Sequence, residues 1–340
     1  MDIPVNIQVY RCYGIVRELL EARGYDVDAY PLLTIEQIQQ TQGGDTVASP
    51  VPPIVVPAKA GDVLPFGPTS REGKELAAFD AAGLLTAAFH KRYPVLAAAL
   101  QADTKWPKAE REALLAVYRE LAKPVAEVHF HQCFNPENLW GANSRDQKFM
   151  NEMGAMMESM EATARLQVEA DADATPALAK ALDRVDTLDL GEAHDPELDP
   201  REALLHEWVK VFKRARSLLF LYRTRSKASA TLDKKYEGYC ADLMARHQVF
   251  VQLFNVRTLM FNVTKHEIVP PHKALDTWAD DETIERIKRT YNMQSLSKEN
   301  PVMPLNDPVA KFIGLRRGQL CEITRTNETS GTFVTYRFCK

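Results

Sequence analysis

His129, His131 and Cys133 stand at i, i+2 and i+4 in "VAEVHFHQC", a stretch that alternates like a strand. Side chains two apart on a strand project to one face, and imidazole and thiolate are ligand types that zinc takes. No fourth ligand with supporting spacing is visible, and a strand face carrying ordinary histidines is the competing reading. A nuclease would hold Mg²⁺ through clustered carboxylates. Around the apolar runs 125–131 and 217–222 only Glu127 qualifies. The nucleotide, serine-hydrolase and zinc-protease patterns GxxxxGK[ST], GxSxG and HExxH do not occur. No catalytic residue, cofactor or small-molecule substrate is expected.

One segment has a different chemistry. Lys210 to Lys235 carries nine Lys or Arg and one acid, Asp233. Lys210, Lys213 and Arg214 suit the wet face of a helix, whereas Arg223, Arg225 and Lys227 follow the end of an apolar run, in a loop. Phosphate-neutralising residues belong in such places, and a solvated loop is the alternative. The net charge of −4 argues against a protein that coats nucleic acid through its overall charge. Five scattered cysteines with no CxxC pair read as free thiols in a reducing compartment. The start lacks a basic stretch followed by a long apolar one, so no signal peptide is expected, and Leu218 to Tyr222 is far too short to span a membrane.

These groups need elements to position them, and 340 residues predict two or more domains. Residues 4–23 have helical spacing, ended by Gly24. Six prolines and four glycines between Gln42 and Ser70 predict a linker or surface-hugging loop. Residues 71–122 are Ala- and Leu-rich and read as helical, with Pro107 in a first turn. Met150, Met153, Met157 and Met160 form one stripe of a later helix, read as core, with a partner groove as the alternative. Eleven acidic and three basic residues between 161 and 200 predict a solvated helix and loop. "EALLHEWVKVFKRARSLLFLYR" reads as a helix running into a strand at Ser217 to Tyr222. "YEGYCADLMARHQVFVQLFNVRTLMFNVT" reads as helix, short helix and strand, with Leu259, Phe261 and Val263 alternating. That order predicts a βαβ unit in a mixed or parallel sheet with covering helices.

The final stretch is the most closely specified. Asp307 is a good N-cap, Pro308 suits the first helical position, and Gly314 suits a left-handed C-cap. Arg316-Arg317-Gly318 reads as a turn and Gln319 to Thr324 as a strand. Val334, Tyr336 and Phe338 then alternate with Thr335 and Arg337 as in a half-buried strand whose apolar face needs a partner surface. Upstream, Thr277 opens a helix with Asp280, Asp281 and Glu282 early and Arg286, Lys288 and Arg289 late, matching the helix dipole.

"FNVTKHEIVPPH", "DPVAKFIGLRRGQ" and "ITRTNETSGTFVTYRF", in this order and spacing, closely resemble the C-terminal domain of the fifth subunit shared by the eukaryotic nuclear RNA polymerases, a domain that in archaea stands alone as a small polymerase subunit. The resemblance covers 260–340. "RCYGIVRELLEARGYDV" followed by "TIEQIQQ" resembles the family's N-terminal start. The resemblance implies an α/β jaw-like domain over 1–259, enlarged by a mainly helical, lineage-specific insertion at about 42–200, and a small α+β assembly domain over 260–340. It implies a non-catalytic subunit docking on the largest polymerase subunit, alongside other subunits, with the jaw facing downstream duplex DNA. His266, Asp307, Pro308, Gly314, Arg316, Arg317, Gly318, Arg325, Tyr336 and Arg337 are then docking residues, and Arg223, Arg225 and Lys227 are DNA-proximal. The competing class is a free-standing DNA-binding or inactive nuclease-derived protein carrying an assembly domain; a further reading makes the insertion a docking module for a factor of this polymerase alone. A cellular subunit would be nuclear. A large DNA virus would use it in a cytoplasmic factory or the virion.

Overall fold

Helix α1, Val5–Ala22, buries Val9, Cys12, Tyr13, Val16, Leu19 and Leu20 at helical spacing and stops at Gly24, whose φ of 86° only glycine adopts freely. The computed structural model describes residues 5–31, 33–37, 53–59, 87–101, 106–130, 143–188, 199–222, 230–275, 281–327 and 331–340. Its first sheet has the order β1-β2-β3-β4, from β1 Ile54–Pro57, β2 Val125–Phe130, β3 Arg216–Tyr222 and β4 Phe250–Asn255. β1 is antiparallel to β2, and β2, β3 and β4 are parallel. The mixed sheet with covering helices agrees with the expectation. Among the described residues the helices between β1 and β3 are α2 Ala87–Arg92, α3 Pro94–Leu100, α4 Lys108–Leu121, α5 Asn143–Ala174, α6 Pro176–Val185 and α7 Pro200–Ala215. Helix α8, Ala230–His247, makes the crossover from β3 to β4, the βαβ unit read from the sequence.

The apolar run of β3 reflects cover on both faces. Leu218 and Phe220 join one core with α2–α8, while Leu219 and Leu221 join a second core under α1. In the first core Trp208 of α7 is fully buried. Met153, Met157, Met160, Ala164 and Val168 of α5 pack into it, so the methionine stripe is core where it is described; the side chain of Met150 lies outside the described residues. Lys213–Glu161 at 3.0 Å and Arg165–Glu202 at 2.6 Å also join α5 to α7. Pairs this exposed contribute little beside the buried stripe.

Three readings need correction. The proline-rich stretch is not all linker: Ile54, Val55 and Val56 are β-branched and pair with β2, and Pro57 is tolerated because β1 is an edge strand. The strand placed near 259–263 lies earlier, at β4, whose six residues are all buried and therefore form a continuous apolar-rich run rather than an alternation. Residues 256–262 turn instead, with the Asn255 side chain accepting from Arg257 N–H at 3.1 Å and Asn262 capping the 3₁₀ turn Val263–Lys265. The acid-rich 161–200 is not simply solvated: α6 turns Leu178, Ala181, Leu182 and Val185 into the core.

One polar group sits deep among these helices. Tyr93, the N-cap residue of α3, provides no side-chain acceptor. Glu207 of α7 does so from across the core, its two carboxylate oxygens accepting from Val95 and Leu96 N–H at 2.9 Å each. Burial pushes this carboxyl up to about 7 against the pull of those two N–H groups. An acid whose folded pKa exceeds its unfolded value binds more protons when folded, so its contribution to stability is greatest below about 4.5 and is lost as pH rises towards 7. Glu207→Gln presents an amide NH₂ to one helix N–H and should cost about 1–3 kcal/mol. In thermal melts the deficit should be larger at pH 5 than at pH 8; a pH-independent deficit would contradict the assignment.

Candidate functional site

The second sheet has the order β5-β7-β8-β6, from β5 His272–Leu275, β6 Val302–Met303, β7 Leu320–Asn327 and β8 Gly331–Cys339. With α9 Asp281–Tyr291, α10 Leu296–Glu299 and α11 Pro308–Ile313 it completes the C-terminal unit. The local signals resolve as read. Asp307 Oδ1 accepts from Val309 N–H at 2.8 Å and Ala310 N–H at 3.1 Å, Pro308 opens α11, and Gly314 ends it at φ 72°. Gly318 takes φ 90° in the turn before β7. Residues 277–280, at the expected start of α9, lie outside the described residues.

The faces of β8 are the reverse of the expectation. Cross-strand partners share a face, and Cys321↔Arg337 and Ile323↔Thr335 set the odd-numbered residues with the small core of Ala274, Met303, Val309, Cys321, Ile323 and Cys339. Val334, Tyr336 and Phe338 therefore lie on the outer face. Tyr291 of α9 crosses it, its hydroxyl donating to Val334 O at 3.2 Å and its ring edge-on to Tyr336. Val334 remains 37% exposed, and Val302, paired with Phe338 in the neighbouring strand, 46%. Elsewhere on this unit, in the loop before β5, Phe261 is 57% exposed and Ile268 83%.

What holds this unit against the first sheet is a buried arginine. Arg23, in the turn after α1, is 4% exposed. Its Nε donates to Phe312 O at 3.0 Å, and its terminal nitrogen to Gln252 Oε1 at 2.6 Å and to Lys311 O. Lys311 and Phe312 close α11, where carbonyls lack helical partners and the dipole is negative. Arg23 thus caps a helix distant in sequence, and Phe312 enters the core under α1. The acceptors are uncharged, and burial brings the guanidinium down to about 9. Arg316 works beside it, stacked 4.1 Å over Phe250 and donating to Ser217 Oγ at 3.4 Å, while Tyr25 OH also donates to Ser217 at 3.0 Å. At the periphery Glu18 accepts from Asn262 at 2.7 Å and pairs with Lys265, and the Asn262 bond holds its carboxyl below the usual range.

The residues singled out from sequence therefore separate. Asp307, Pro308, Gly314 and Gly318 shape the backbone of the C-terminal unit. Arg316 is half-buried, with its guanidinium over Phe250. Arg317 and Arg325 are exposed, Arg337 is half-buried, and Tyr336 donates to Glu322 on the same outer face at 3.3 Å. His266 is exposed, its Nδ1 accepting from Ile268 N–H at 3.3 Å. His129 stacks on Phe220 at 4.9 Å, and His131 and Cys133 lie outside the described residues, as do Arg223, Arg225 and Lys227. Among the described residues no His, Cys, Asp and Glu cluster is suited to a metal, and no helix is long and apolar enough to cross a membrane. Sequence reading missed Arg23, Gln252 and Ser217 as a polar junction; Gly24 registered only as the end of a helix.

Residues 261–339 match the family model described as RNA polymerase Rpb5, C-terminal domain. The chain is 35% identical over 99 residues, 29% of its own length and 47% of the relative's, to the "DNA-directed RNA polymerases I, II, and III subunit rpabc1" of Dictyostelium discoideum. It is 39% identical over 79 residues, 23% of its length and 35% of the relative's, to the subunit RPABC1 of Caenorhabditis elegans and to that of Caenorhabditis briggsae. The matched region spans less than half of each of these relatives.

Arg23 and Gly314 are coupled. A Cβ on Gly314 would stand 2.9 Å from Arg23 Nε, on a backbone at φ 72°. Gly314→Ala should cost about 1–3 kcal/mol through strain, and Arg23→Met about 3 kcal/mol through the acceptors it leaves bare. In denaturant titrations the double variant should be less destabilised than the sum, because the clash goes with the arginine. Strict additivity would contradict the contact.

Proposed function

We infer that this chain is a non-catalytic subunit of a multisubunit DNA-directed RNA polymerase. The observation that carries the reading is the match of 261–339 to the Rpb5 C-terminal domain, joined to an outer face on that domain with more aromatic and aliphatic surface than its own helices cover. Exposed apolar side chains gathered on one unit are the mark of a protein interface. Residues 260–340 dock on the largest polymerase subunit through Ile268, Val302, Val334 and their neighbours. Residues 1–259 form a jaw beside the downstream DNA, and the compartment is that of the polymerase served, the nucleus for a cellular enzyme. Of the expected insertion at 42–200, β1 and β2 belong to the sheet, and α5 and α6 pack into its first core. Catalysis and its metal ions belong to the large subunits.

Ile268→Asp with Val334→Asp should abolish stoichiometric co-purification with the two large polymerase chains and leave the melting temperature within a few degrees, since both side chains already meet water. Retained assembly would reject this docking face. Elution of the wild-type chain without large polymerase chains would reject the subunit reading in favour of a free-standing DNA-binding protein.

The DNA-facing part rests on the basic segment in an acidic chain. Arg223→Ala, Arg225→Ala, Lys227→Ala in the assembled enzyme should shorten the lifetime of elongation complexes equally on all templates. Three lost phosphate contacts lower the magnitude of a log–log salt slope by roughly 2 to 3. An unchanged lifetime across a salt series would remove these residues from the DNA path, and loss confined to particular sequences would indicate base readout.

A further inference from the structure

Ser217, the second residue of β3, is buried and faces two donors. Tyr25 OH lies 3.0 Å from its Oγ and Arg316 Nη2 3.4 Å. A guanidinium reaches a charged oxygen at about 2.8 Å, so the second contact is a long one. Nε of Arg316 is buried and meets no acceptor among the described residues. Nε and Nη2 form one edge of the guanidinium, the fork that grips two oxygens of a single acid group. Here that fork holds one distant hydroxyl. Tyr25 and Ser217 share one bond between two hydroxyls, so one O–H also remains to be given. Donors outnumber acceptors at this point.

Charge gives the second observation. Arg23, Arg316 and Arg214 lie close enough together to act on one another. Burial brings Arg23 down to about 9, and the charge of Arg316 pushes the same way. Burial likewise brings Arg316 down to about 10, and the charge of Arg214 adds to it. Arg23 has two carbonyls and an amide oxygen in place of water. Arg316 has the ring of Phe250 and the Ser217 hydroxyl. Among the described residues no carboxylate pairs with either, whereas Arg216, the neighbour of Ser217, has Glu127 at 3.6 Å. A buried cation with neither a counter-charge nor a full set of acceptors is costly. Arg316 and Arg214 are half-buried, so the cluster is open to solvent on their side.

We propose that the fork of Arg316, with the Ser217–Tyr25 hydroxyl pair and the positive field of Arg23 and Arg214, binds a small oxyanion from solution, inorganic phosphate matching it best. A doubly charged ion with several acceptor oxygens answers both the excess of donors and the excess of positive charge. The same group on a nucleic-acid backbone is bulkier, and the burial of Nε and Ser217 favours the free ion. Tyr25 and Ser217 belong to the body around the first sheet, and Arg316 follows α11. The bound ion therefore ties the C-terminal unit to that body. The site is separate from the outer face of the second sheet, and it stands whether or not the chain serves a polymerase.

The test is titration of the full-length protein with inorganic phosphate, followed by phosphorus NMR line width and by thermal unfolding, each against sodium chloride at equal ionic strength. The phosphate line should broaden saturably, and the melting temperature should climb as phosphate passes its dissociation constant. Arg316→Gln keeps a donor for Ser217 and removes the charge and the fork. It should bind phosphate about tenfold more weakly or worse, and its melting temperature should no longer follow phosphate. Without phosphate it should melt close to the wild type, because the charge it removes is then uncompensated. Arg316→Lys, which keeps the charge and loses the fork, should bind with intermediate affinity, and Arg317→Gln, at an exposed neighbour, should bind as the wild type does. Absence of saturable binding, or an equal response of wild type and Arg316→Gln, would overturn the proposal. So would an oligonucleotide that displaces phosphate from the wild type and binds more tightly, since the ligand would then be a nucleic-acid backbone.

Discussion

Everything C-terminal to β4 depends on finding acceptors for one buried guanidinium. Arg23 leaves α1 at the point where the chain turns, and there is no carboxylate among its partners. A charge without a counter-charge persists inside a protein only if oriented dipoles replace the water it loses. The end of α11 provides them, together with one side-chain amide of the edge strand β4. Each side needs the other, because the last carbonyls of α11 also lack helical partners. Leu315 N–H reaches back to Ala310 O at 2.9 Å and Gly314 N–H to Lys311 O at 3.2 Å in the manner of a Schellman turn, and the arginine adds a donor to Lys311 O and meets Phe312 O. Gly314 is thereby constrained twice, by its own φ and by the space the guanidinium occupies.

This arrangement bears on how the C-terminal unit is presented. The second sheet turns Cys321, Ile323 and Cys339 toward α11 and Val334 and Tyr336 to its other face, and α11 is in turn fixed to the first sheet by Arg23, Phe312 and Arg316. The outer face is therefore held at a defined orientation to the body behind it. Interface residues in a fixed orientation lose less entropy on binding than those on a tethered module.

Local chemistry was legible in the sequence and distant pairing was not. Asp307-Pro308 and Gly314 announce the limits of α11 because capping is decided within a few residues. The run at β3 and the helix before it were legible for the same reason. β1 was hidden by its prolines, which mark both linkers and edge strands, and β4 by its lack of alternation, which follows from cover on both faces. The orientation of β8 was misread because alternation identifies two faces without saying which is inside. Glu207 and Arg23 carried no local mark at all: each caps a helix remote in sequence, and any exposed Glu or Arg looks the same in one dimension. The metal reading at His129 rested on spacing alone, whereas the described surroundings of that ring are a stacked phenylalanine and a carboxylate at 3.6 Å.

The separation of 289 residues between Arg23 and Phe312 also sets an order of events during synthesis. A chain emerging from the ribosome presents α1 long before α11. The first sheet is completed only when β4 arrives, and Arg23 stays hydrated until the carbonyls of α11 are available. Closure between such distant segments is a late and entropically demanding step. Until then the surface that Phe312 will cover remains open.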